Sequence, residues 1–302
     1  MKILLQFPEG LKQYALAELE KYKKQGHQVY ISASPCWGAC DLALDEAKKI
    51  GAQKLIHYGH CKFHEVKDLD VEYKLFPIDV DLNLIKNEIK KIKKFKKVGL
   101  VCTVSHVHQL KDFKKIFRAE GFEVFVSKGK LARLQGQILG CDTSAADKLA
   151  NKVDIIVYIG GGEFHPLGIS ASKPIFVINP FISQSYFIND KIAKKRKREL
   201  LMLLEIANAK KIGIIVSTKS GQFNLKAAEY IKRKLEEFNK LAIILITSEV
   251  NFESLKNFNL FDGFITTACP RLEDDWERVE KPIINISKIP QLLKILKDLE
   301  KT

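Results

Sequence analysis

Short apolar runs without alternation punctuate the chain, among them Ile212-Gly213-Ile214-Ile215-Val216 and Ala242-Ile243-Ile244-Leu245-Ile246. A strand wetted on one face alternates apolar and polar residues. Unbroken short runs instead predict strands covered on both faces by helices, as in parallel sheets. Strands are expected at 3–7, 28–32, 54–58 and 73–76, with helices near 11–25, 41–50 and 81–95. A second set follows, with strands at 98–104, 122–127, 154–159 and 174–178 and helices near 107–119, 144–152 and 189–208. The third has strands at 211–216, 241–247, 262–267 and 282–286 and helices near 224–238, 252–257 and 288–300. The same order of elements thus occurs three times. It predicts an α/β protein of three similar small domains, 1–95, 96–208 and 209–302, with mostly parallel sheets built from βαβ units. No sequence identity between the thirds is obvious, so the repeat rests on element order alone. Ligands of such sheets gather at the carboxyl ends of the strands. The loops that follow the strands are rich in Gly, Cys and His.

Composition narrows the class. A chain of 302 residues that is 46% hydrophobic and 28% charged can bury two or three cores. No apolar run approaches the roughly 20 residues of a membrane helix. Met1 to Pro8 reads as a core strand and not as a signal peptide, so a cytoplasmic location is expected. Fifty Lys and Arg against 36 Asp and Glu leave a net charge of +14. That charge suits a polyanionic partner such as RNA, a ribosomal particle or an acidic protein, or else lysines that merely coat solvated helices. The densest stretch is Lys194-Lys195-Arg196-Lys197-Arg198. Six cysteines in a reducing compartment do not make a disulfide framework. Cys102 lies in a strand where a small apolar residue suffices.

Three other cysteines stand at strand ends: Cys40 in Gly38-Ala39-Cys40-Asp41, Cys141 in Leu139-Gly140-Cys141-Asp142, and Cys269 in Thr267-Ala268-Cys269-Pro270-Arg271. Two share a small-residue-Cys-Asp pattern ahead of an expected helix, and a helix N-terminus favours the thiolate. The wide spacing matches no local zinc or ferredoxin motif. Unrelated buried cysteines therefore remain an alternative. So does a zinc site from Cys36, Cys40, Cys61 and the histidines of His57-Tyr58-Gly59-His60-Cys61-Lys62-Phe63-His64. Gly160-Gly161-Gly162 follows a buried strand, where backbone N–H groups can approach an anion. It lacks both the GxGxxG spacing and the GK[ST] ending of nucleotide loops. Ser217-Thr218-Lys219-Ser220-Gly221-Gln222 and Pro8-Glu9-Gly10 occupy matching rims. His106 and His108 lie beside a strand end, where a surface or capping role competes with a ligand role. No catalytic triad or carboxylate pair stands out.

Taken in order, Gln6-Phe7-Pro8-Glu9-Gly10-Leu11, Gly38 to Ala43, His57-Tyr58-Gly59-His60, Gly136 to Cys141, Gly160 to Gly168, Ser217 to Gln222 and Ala268-Cys269-Pro270-Arg271 resemble the archaeal diphthamide synthases of the first step. The resemblance spans the whole chain. It implies a noncanonical radical S-adenosylmethionine enzyme of three α/β domains, assembled as a homodimer. Cys40, Cys141 and Cys269 would hold a [4Fe–4S] cluster at the domain junction. It further implies transfer of the 3-amino-3-carboxypropyl group of S-adenosylmethionine to a histidine C2 of translation elongation factor 2. An open cluster iron leaves few protein acids or bases to be supplied. Gly160, Gly161, Gly162, Gln222 and Arg271 are the expected co-substrate contacts, Arg271 as a carboxylate partner. The electron donor is not indicated. The chain departs from the family where a Ser would separate His60 from Cys61, and where Asn179-Pro180 replaces Asp-Pro. Cys36 and Cys61 are extra thiols. In strand order Cys61, not Cys40, corresponds to Cys269, and only the resemblance decides for Cys40. Two other readings compete: a quinolinate-synthase-like cluster dehydratase and a non-catalytic cluster or RNA-binding partner protein.

Overall fold

A computed structural model of the chain describes residues 1–274, 278 and 280–301. It contains three sheets. The first is formed by β1 (Lys2–Gln6), β2 (Gln28–Ile31), β3 (Lys54–Tyr58) and β4 (Asp70–Lys74), in the order β2-β1-β3-β4. The second is formed by β5 (Lys97–Cys102), β6 (Glu123–Phe125), β7 (Ile155–Ile159), β8 (Ile175–Asn179) and β9 (Gln184–Phe187), in the order β6-β5-β7-β8-β9. The third is formed by β10 (Lys211–Ser217), β11 (Leu241–Thr247), β12 (Gly263–Thr266) and β13 (Ile283–Asn285), in the order β11-β10-β12-β13. Every pairing is parallel except that of β8 with β9. The mostly parallel α/β fold read from the apolar runs is therefore present. The chain divides into two compact units, Met1–Ile192 with the first two sheets and Ala193–Thr302 with the third.

The helices are α1 (Ala15–Lys23), α2 (Leu44–Lys49), α3 (Leu82–Glu88), α4 (Leu110–Ala119), α5 (Ser144–Asp147), α6 (Phe164–Leu167), α7 (Asn189–Asn208), α8 (Leu225–Glu236), α9 (Phe252–Lys256) and α10 (Ile289–Leu299). α4 shows why they form. Leu110, Phe113 and Phe117 fall on one face and are buried, packing on Leu100, Val157 and Ile159 of the second sheet. Truncating either phenylalanine to alanine would cost about 3–5 kcal/mol. Asp81, Asn224 and Asn251 cap α3, α8 and α9 by accepting from Asn83, Ala227 and Ser254 backbone N–H; each such cap is worth about 1 kcal/mol.

Three differences from expectation have physical causes. β9 was not foreseen, because its residues are partly exposed and it folds back antiparallel at a sheet edge instead of lying between helices. β4 begins at Asp70, not Tyr73, since Lys54↔Asp70 to Tyr58↔Lys74 pairing sets its register. α2 and α5 are short, with six and four residues. Helices that short carry little macrodipole, so the expected activation of Cys40 and Cys141 by a helix N-terminus has a weak basis.

Candidate functional site

In each sheet the chain starts at an inner strand, moves outward to its second strand, then crosses to the opposite side for its third and fourth. The switch point lies between the carboxyl ends of the first and third strands, where open α/β sheets hold ligands. At β1 and β3 those ends lead to Pro8-Glu9-Gly10 and to Gly59-His60. At β5 and β7 they lead to Thr103–His106 and to Gly160–Gly162. At β10 and β12 they lead to Thr218–Gln222 and to Cys269.

Around Cys40 a polar chain runs from the sheet core to the rim. Gln6, buried on β1, donates from Nε2 to the Asp41 carbonyl at 2.7 Å, and its Oε1 accepts the Ala43 N–H at 3.2 Å. These backbone partners fix the amide orientation, so Oε1 is also the acceptor for His57 Nδ1 at 2.9 Å. His57 therefore carries its proton on Nδ1, and its Nε2 accepts from His60 Nδ1 at 3.0 Å. That leaves the lone pair of His60 on Nε2. A methyl group on Gly38 would sit 4.0 Å from this nitrogen and 3.6 Å from Cys40 Sγ. The imidazole thus reaches the cysteine loop as an acceptor. Burial, then the neighbouring His60, pushes His57 down to about 3. Burial pushes His60 down to about 4, against the opposing Tyr58 carbonyl. Both rings are neutral at pH 7, consistent with the tautomers that the hydrogen bonds select.

The Cys141 loop is held by its own aspartate. Asp142 Oδ2 accepts the Leu131 N–H at 2.6 Å and the Ala132 N–H at 3.1 Å. Oδ1 accepts the Ser144 N–H at 3.1 Å and the Ser144 hydroxyl at 2.5 Å. Burial raises this carboxyl, but the hydrogen bonds outweigh it and hold Asp142 below its ordinary value. Asp41 acts similarly beside Cys40, accepting the Trp37 N–H at 3.3 Å. The aspartate of each Cys-Asp pair is therefore a loop clamp. Gly140 is packed under Phe164, whose ring a Cβ would overlap at 1.7 Å. Only glycine lets that ring lie on the backbone next to Cys141.

Gln137 ties the Cys61 loop to the segment that leads to Cys141. It is buried on a segment that adds to the edge of β5, with Cys102 N–H donating to the Gly136 carbonyl and Ile138 N–H to the Cys102 carbonyl. Its Oε1 accepts the Arg133 and Leu134 N–H groups at 3.1 Å and the Cys61 thiol at 3.8 Å. Arg133 Nε donates to the Lys62 carbonyl at 3.0 Å. Burial raises the Cys61 thiol, with Gln137 and Arg133 opposing.

The six thiols differ in aptness as ligands. Cys102 is fully buried in β5 and pushed up to about 12 by burial; it is core. Cys36 is buried, with Sγ against the Gly38 and Asp41 carbonyls at 3.8 and 4.0 Å. Cys40 and Cys269 are half-buried and Cys141 is exposed, all three on turns at strand rims. Thiols that are accessible and rim-placed, two of them near Gly38 or Gly140, fit the donor chemistry of an iron–sulfur cluster. The zinc alternative fits poorly. Both His57 nitrogens and His60 Nδ1 are committed to hydrogen bonds; among the described residues no three His, Cys, Asp or Glu side chains are gathered as a ready metal cage, Cys40, Cys141 and Cys269 included.

In the second unit Cys269 starts a tight helical turn, Pro270–Glu273, that contains Arg271. Glu273 accepts the Asn285 N–H, while Asn285 Nδ2 donates to the Ala268 carbonyl at 3.2 Å. Gln222 closes a turn after β10, its N–H donating to the Lys219 carbonyl at 2.9 Å. In the first unit the Gly160 N–H is spent on the Ile178 carbonyl, and the Gly161 carbonyl accepts the Tyr158 hydroxyl. Gly162 is exposed with φ of 69°, a left-handed conformation that favours glycine.

Comparison with known proteins decides the family: the sequence profile of the diphthamide synthesis proteins matches residues 7–299. The chain belongs to the diphthamide synthesis protein family. Among its relatives is the 2-(3-amino-3-carboxypropyl)histidine synthase of Pyrococcus horikoshii, 32% identical over 99% of this chain and 87% of that protein. The synthase of Methanocaldococcus jannaschii is 31% identical over 97% of this chain and 84% of its own length. The crystal structure of Dph2 from Pyrococcus horikoshii with a 4Fe-4S cluster matches with a TM-score of 0.86 and 30% identity, covering 97% of this chain and 86% of that one. Within this family frame, the cysteines and glycine turns were visible in the sequence. Gln6, Asp41, Gln137 and Asp142 were not singled out as structural partners. Gln6 and Gln137 stand inside the segments that carried the resemblance, a signal that was present without its physical meaning.

Proposed function

We propose that this protein is a 2-(3-amino-3-carboxypropyl)histidine synthase. It would transfer the 3-amino-3-carboxypropyl group of S-adenosylmethionine to the imidazole C2 of one histidine of translation elongation factor 2. The observation that carries this reading is the likeness, over 97% of the chain, to a cluster-bearing Dph2, joined to the synthase names of relatives matched over nearly the whole chain. Cys40, Cys141 and Cys269 are the proposed cluster ligands, one from each of 1–95, 96–208 and 209–302. When bound, a reduced cluster would supply a binding site for the sulfonium and one electron to break its bond to the γ-carbon, an electron given back as the alkylated imidazole loses its C2 proton. The products balance as the alkylated histidine, methylthioadenosine and the proton lost from C2.

The chain's own residues bind and orient. The Gln6–His57–His60 chain presents an acceptor near Cys40, and the aspartate clamps hold the cysteine loops. Arg271 is the proposed carboxylate partner; Gln222 and the Gly160–Gly162 turn are further proposed contacts. A homodimeric, cytoplasmic enzyme is part of the proposal. No helix among the described residues is long and apolar enough to cross a membrane.

The test is anaerobic. Reconstituted protein, a chemical reductant, S-adenosylmethionine and elongation factor 2 should yield methylthioadenosine and a mass increase on a single histidine. Cys40→Ala, Cys141→Ala and Cys269→Ala should each lose the visible cluster absorbance, while Cys36→Ala and Cys61→Ala keep it. A cluster without methylthioadenosine would sink the reading in favour of a dehydratase. Factor binding that survives Cys141→Ala, with no chemistry in the unmodified protein, would point to a non-catalytic partner.

A further inference from the structure

Half of the chain's excess positive charge lies on one two-helix face of the second sheet. Over 81–97, seven lysines stand against Asp81 and Glu88. Over 110–120, three lysines and Arg118 stand against Asp112 and Glu120, so these 28 residues together carry +7 of the net +14. The apolar sides of α3, of the turn Ile89–Ile92 that continues it, and of α4 share one core, with Ile85, Ile89, Phe113 and Phe117 buried. Hydrogen bonds fix how the outer sides lie. At the helix starts the Val80 N–H donates to Gln109 Oε1 at 2.7 Å, and at their ends Lys93 Nζ donates to the Glu120 carboxylate and carbonyl, each at 2.7 Å. α3 and α4 therefore run side by side in the same direction, and their lysines form two stripes about 15 Å long. Lys86 and Lys90 bear on the Glu120 carboxylate as well, from across the gap between the helices.

Other solvated helices of the chain balance their charges. α1 has two lysines against two glutamates, α8 four cations against three glutamates, and α10 two lysines against Asp298. Lysines that merely coat a helix would give α8 the same excess as α3 and α4, and they do not. Lys91, Lys93 and Lys115 have ion pairs, with Glu88, Glu120 and Asp112. Lys86, Lys90, Lys94, Lys111, Lys114 and Arg118 have none among the described residues. Lys111 and Lys115, like Lys114 and Arg118, stand four apart on α4, where like charges repel. The run Lys194–Arg198, denser in sequence, differs because Lys195 and Arg198 face Asp274 at 2.9 and 3.8 Å.

We propose that this two-helix face binds the phosphate backbone of duplex RNA. The inference rests on the distribution of charge and stands apart from the transferase reading. A protein partner would need more than charge. Protein interfaces have apolar cores anchored by aromatic residues and arginine, and lysine is depleted there. Here the exposed large apolar side chains among the described residues all lie outside 81–97 and 110–120, and a single arginine stands among ten lysines. Single-stranded RNA is held by bases stacked on aromatic rings, which this face does not expose. Both helices lie against the sheet through their buried sides, so neither can enter the major groove of DNA. The wide, shallow minor groove of duplex RNA presents its phosphates to such a face, and phosphates require only cations, without base contacts.

The experiment uses the full-length protein and a fluorescein-labelled RNA duplex of arbitrary sequence, about 16 base pairs long. Fluorescence anisotropy follows binding from about 50 to 200 mM salt. The triple variant Lys86→Gln, Lys90→Gln, Lys94→Gln should weaken binding about tenfold or more and make the slope of log K against log salt shallower by about 3. A charge-matched triple variant on α8 and α10, Lys226→Gln, Arg233→Gln, Lys297→Gln, should leave that slope unchanged. All six side chains are exposed, so both variants should fold and melt as the unmodified protein does. The RNA duplex should bind more tightly than its single strand or a DNA duplex of the same sequence. Absence of salt-sensitive binding by the unmodified protein, an equal loss in both variants, or a preference for single strand or DNA overturns the assignment. Unaltered RNA affinity in the first variant, with a raised KM for elongation factor 2, also overturns it and makes the face a protein-docking surface.

Discussion

Replacing Asp142 by asparagine removes a charge and half of the acceptor capacity beside Cys141. Four bonds converge on the carboxylate, two on each oxygen. An amide can serve one pair only, and its NH2 must then face the donors of the other pair. The cheaper choice keeps the amide oxygen on the Leu131 and Ala132 N–H groups and turns the NH2 toward Ser144, whose hydroxyl can reverse and accept, so that the Ser144 N–H is abandoned. A hydrogen bond to a charged group contributes about 1.5–3 kcal/mol, and a buried donor without a partner costs about 1–3 kcal/mol. Asp142→Asn should therefore destabilise the 129–144 loop by about 2–4 kcal/mol. Gly129 adds to this, since a Cβ there would sit 2.7 Å from Asp142 Oδ2, so the loop has little room to shift and find new partners. Hydrogen exchange should show the loss as faster exchange at Ser144, with β5 and β7 amides unchanged. Global unfolding in urea should fall by less than the local figure if the loop opens as its own unit. Cluster absorbance should decay faster in air than in the unmodified protein, because Cys141 would lose its fixed support. Unchanged exchange at the Ser144 amide would refute the clamp, whatever happens to activity.

Glu273 predicts a pH effect in the second unit. Burial raises this carboxyl to about 7, with the Asn285 N–H opposing and Glu199 adding to the rise. Between the ordinary value and about 7 the folded state keeps a proton that the unfolded state has lost, so stability falls as pH rises through that window. The loss should total at most about 3 kcal/mol by pH 8, and Glu273→Gln, which can still accept from Asn285, should flatten the profile in pH-dependent urea melts. Gly140→Ala should displace Phe164, since a Cβ would overlap its ring. We expect a cost of about 1–3 kcal/mol and an altered Phe164 ring-proton shift, and an unperturbed spectrum would contradict the packing. His57→Phe should cost about 1–3 kcal/mol and free the His60 tautomer, visible as a shift of its ring nitrogens toward exchange-averaged positions. Retention of a single Nδ1–H signal would show that Gln6 and His57 do not set it.

The strands were legible because β1, β3, β5, β7, β8, β10 and β12 have short apolar runs, each buried almost end to end. β9 escaped because a half-exposed edge strand carries no such run. The rim cysteines and glycines were legible as residue types in loops after strands. Their supports were not, because a polar residue reveals nothing in sequence about the partner that buries it. Gln6 meets Asp41, 35 residues away, and His57, 51 residues away; Gln137 meets Cys61 across 76. Each of these residues looks like an ordinary polar residue at a strand end. The error over Cys-Asp has the same origin. The pattern was read only through the helix that follows, whereas Asp41 acts backward on the Trp37 N–H, and Asp142 acts backward on Leu131 and Ala132 as well as forward on Ser144.

The triple repetition of strand order does not carry a triple repetition of chemistry. At the switch point of the first sheet, hydrogen bonds from Gln6 outward leave an imidazole lone pair on His60. At that of the second, a carbonyl of the preceding segment leaves one on His106. The two acceptors come from different places in the repeat, one after its third strand and one after its first, so neither is inherited from the other by position. The third sheet has no imidazole there. Lys219 follows its first strand, in an ion pair with Glu249 at 2.5 Å, and Arg271 follows its third. The shared topology thus sets where each rim lies, and the residue delivered to that rim determines whether it accepts or donates. The chemistry therefore resides in the individual loops and not in the repeat.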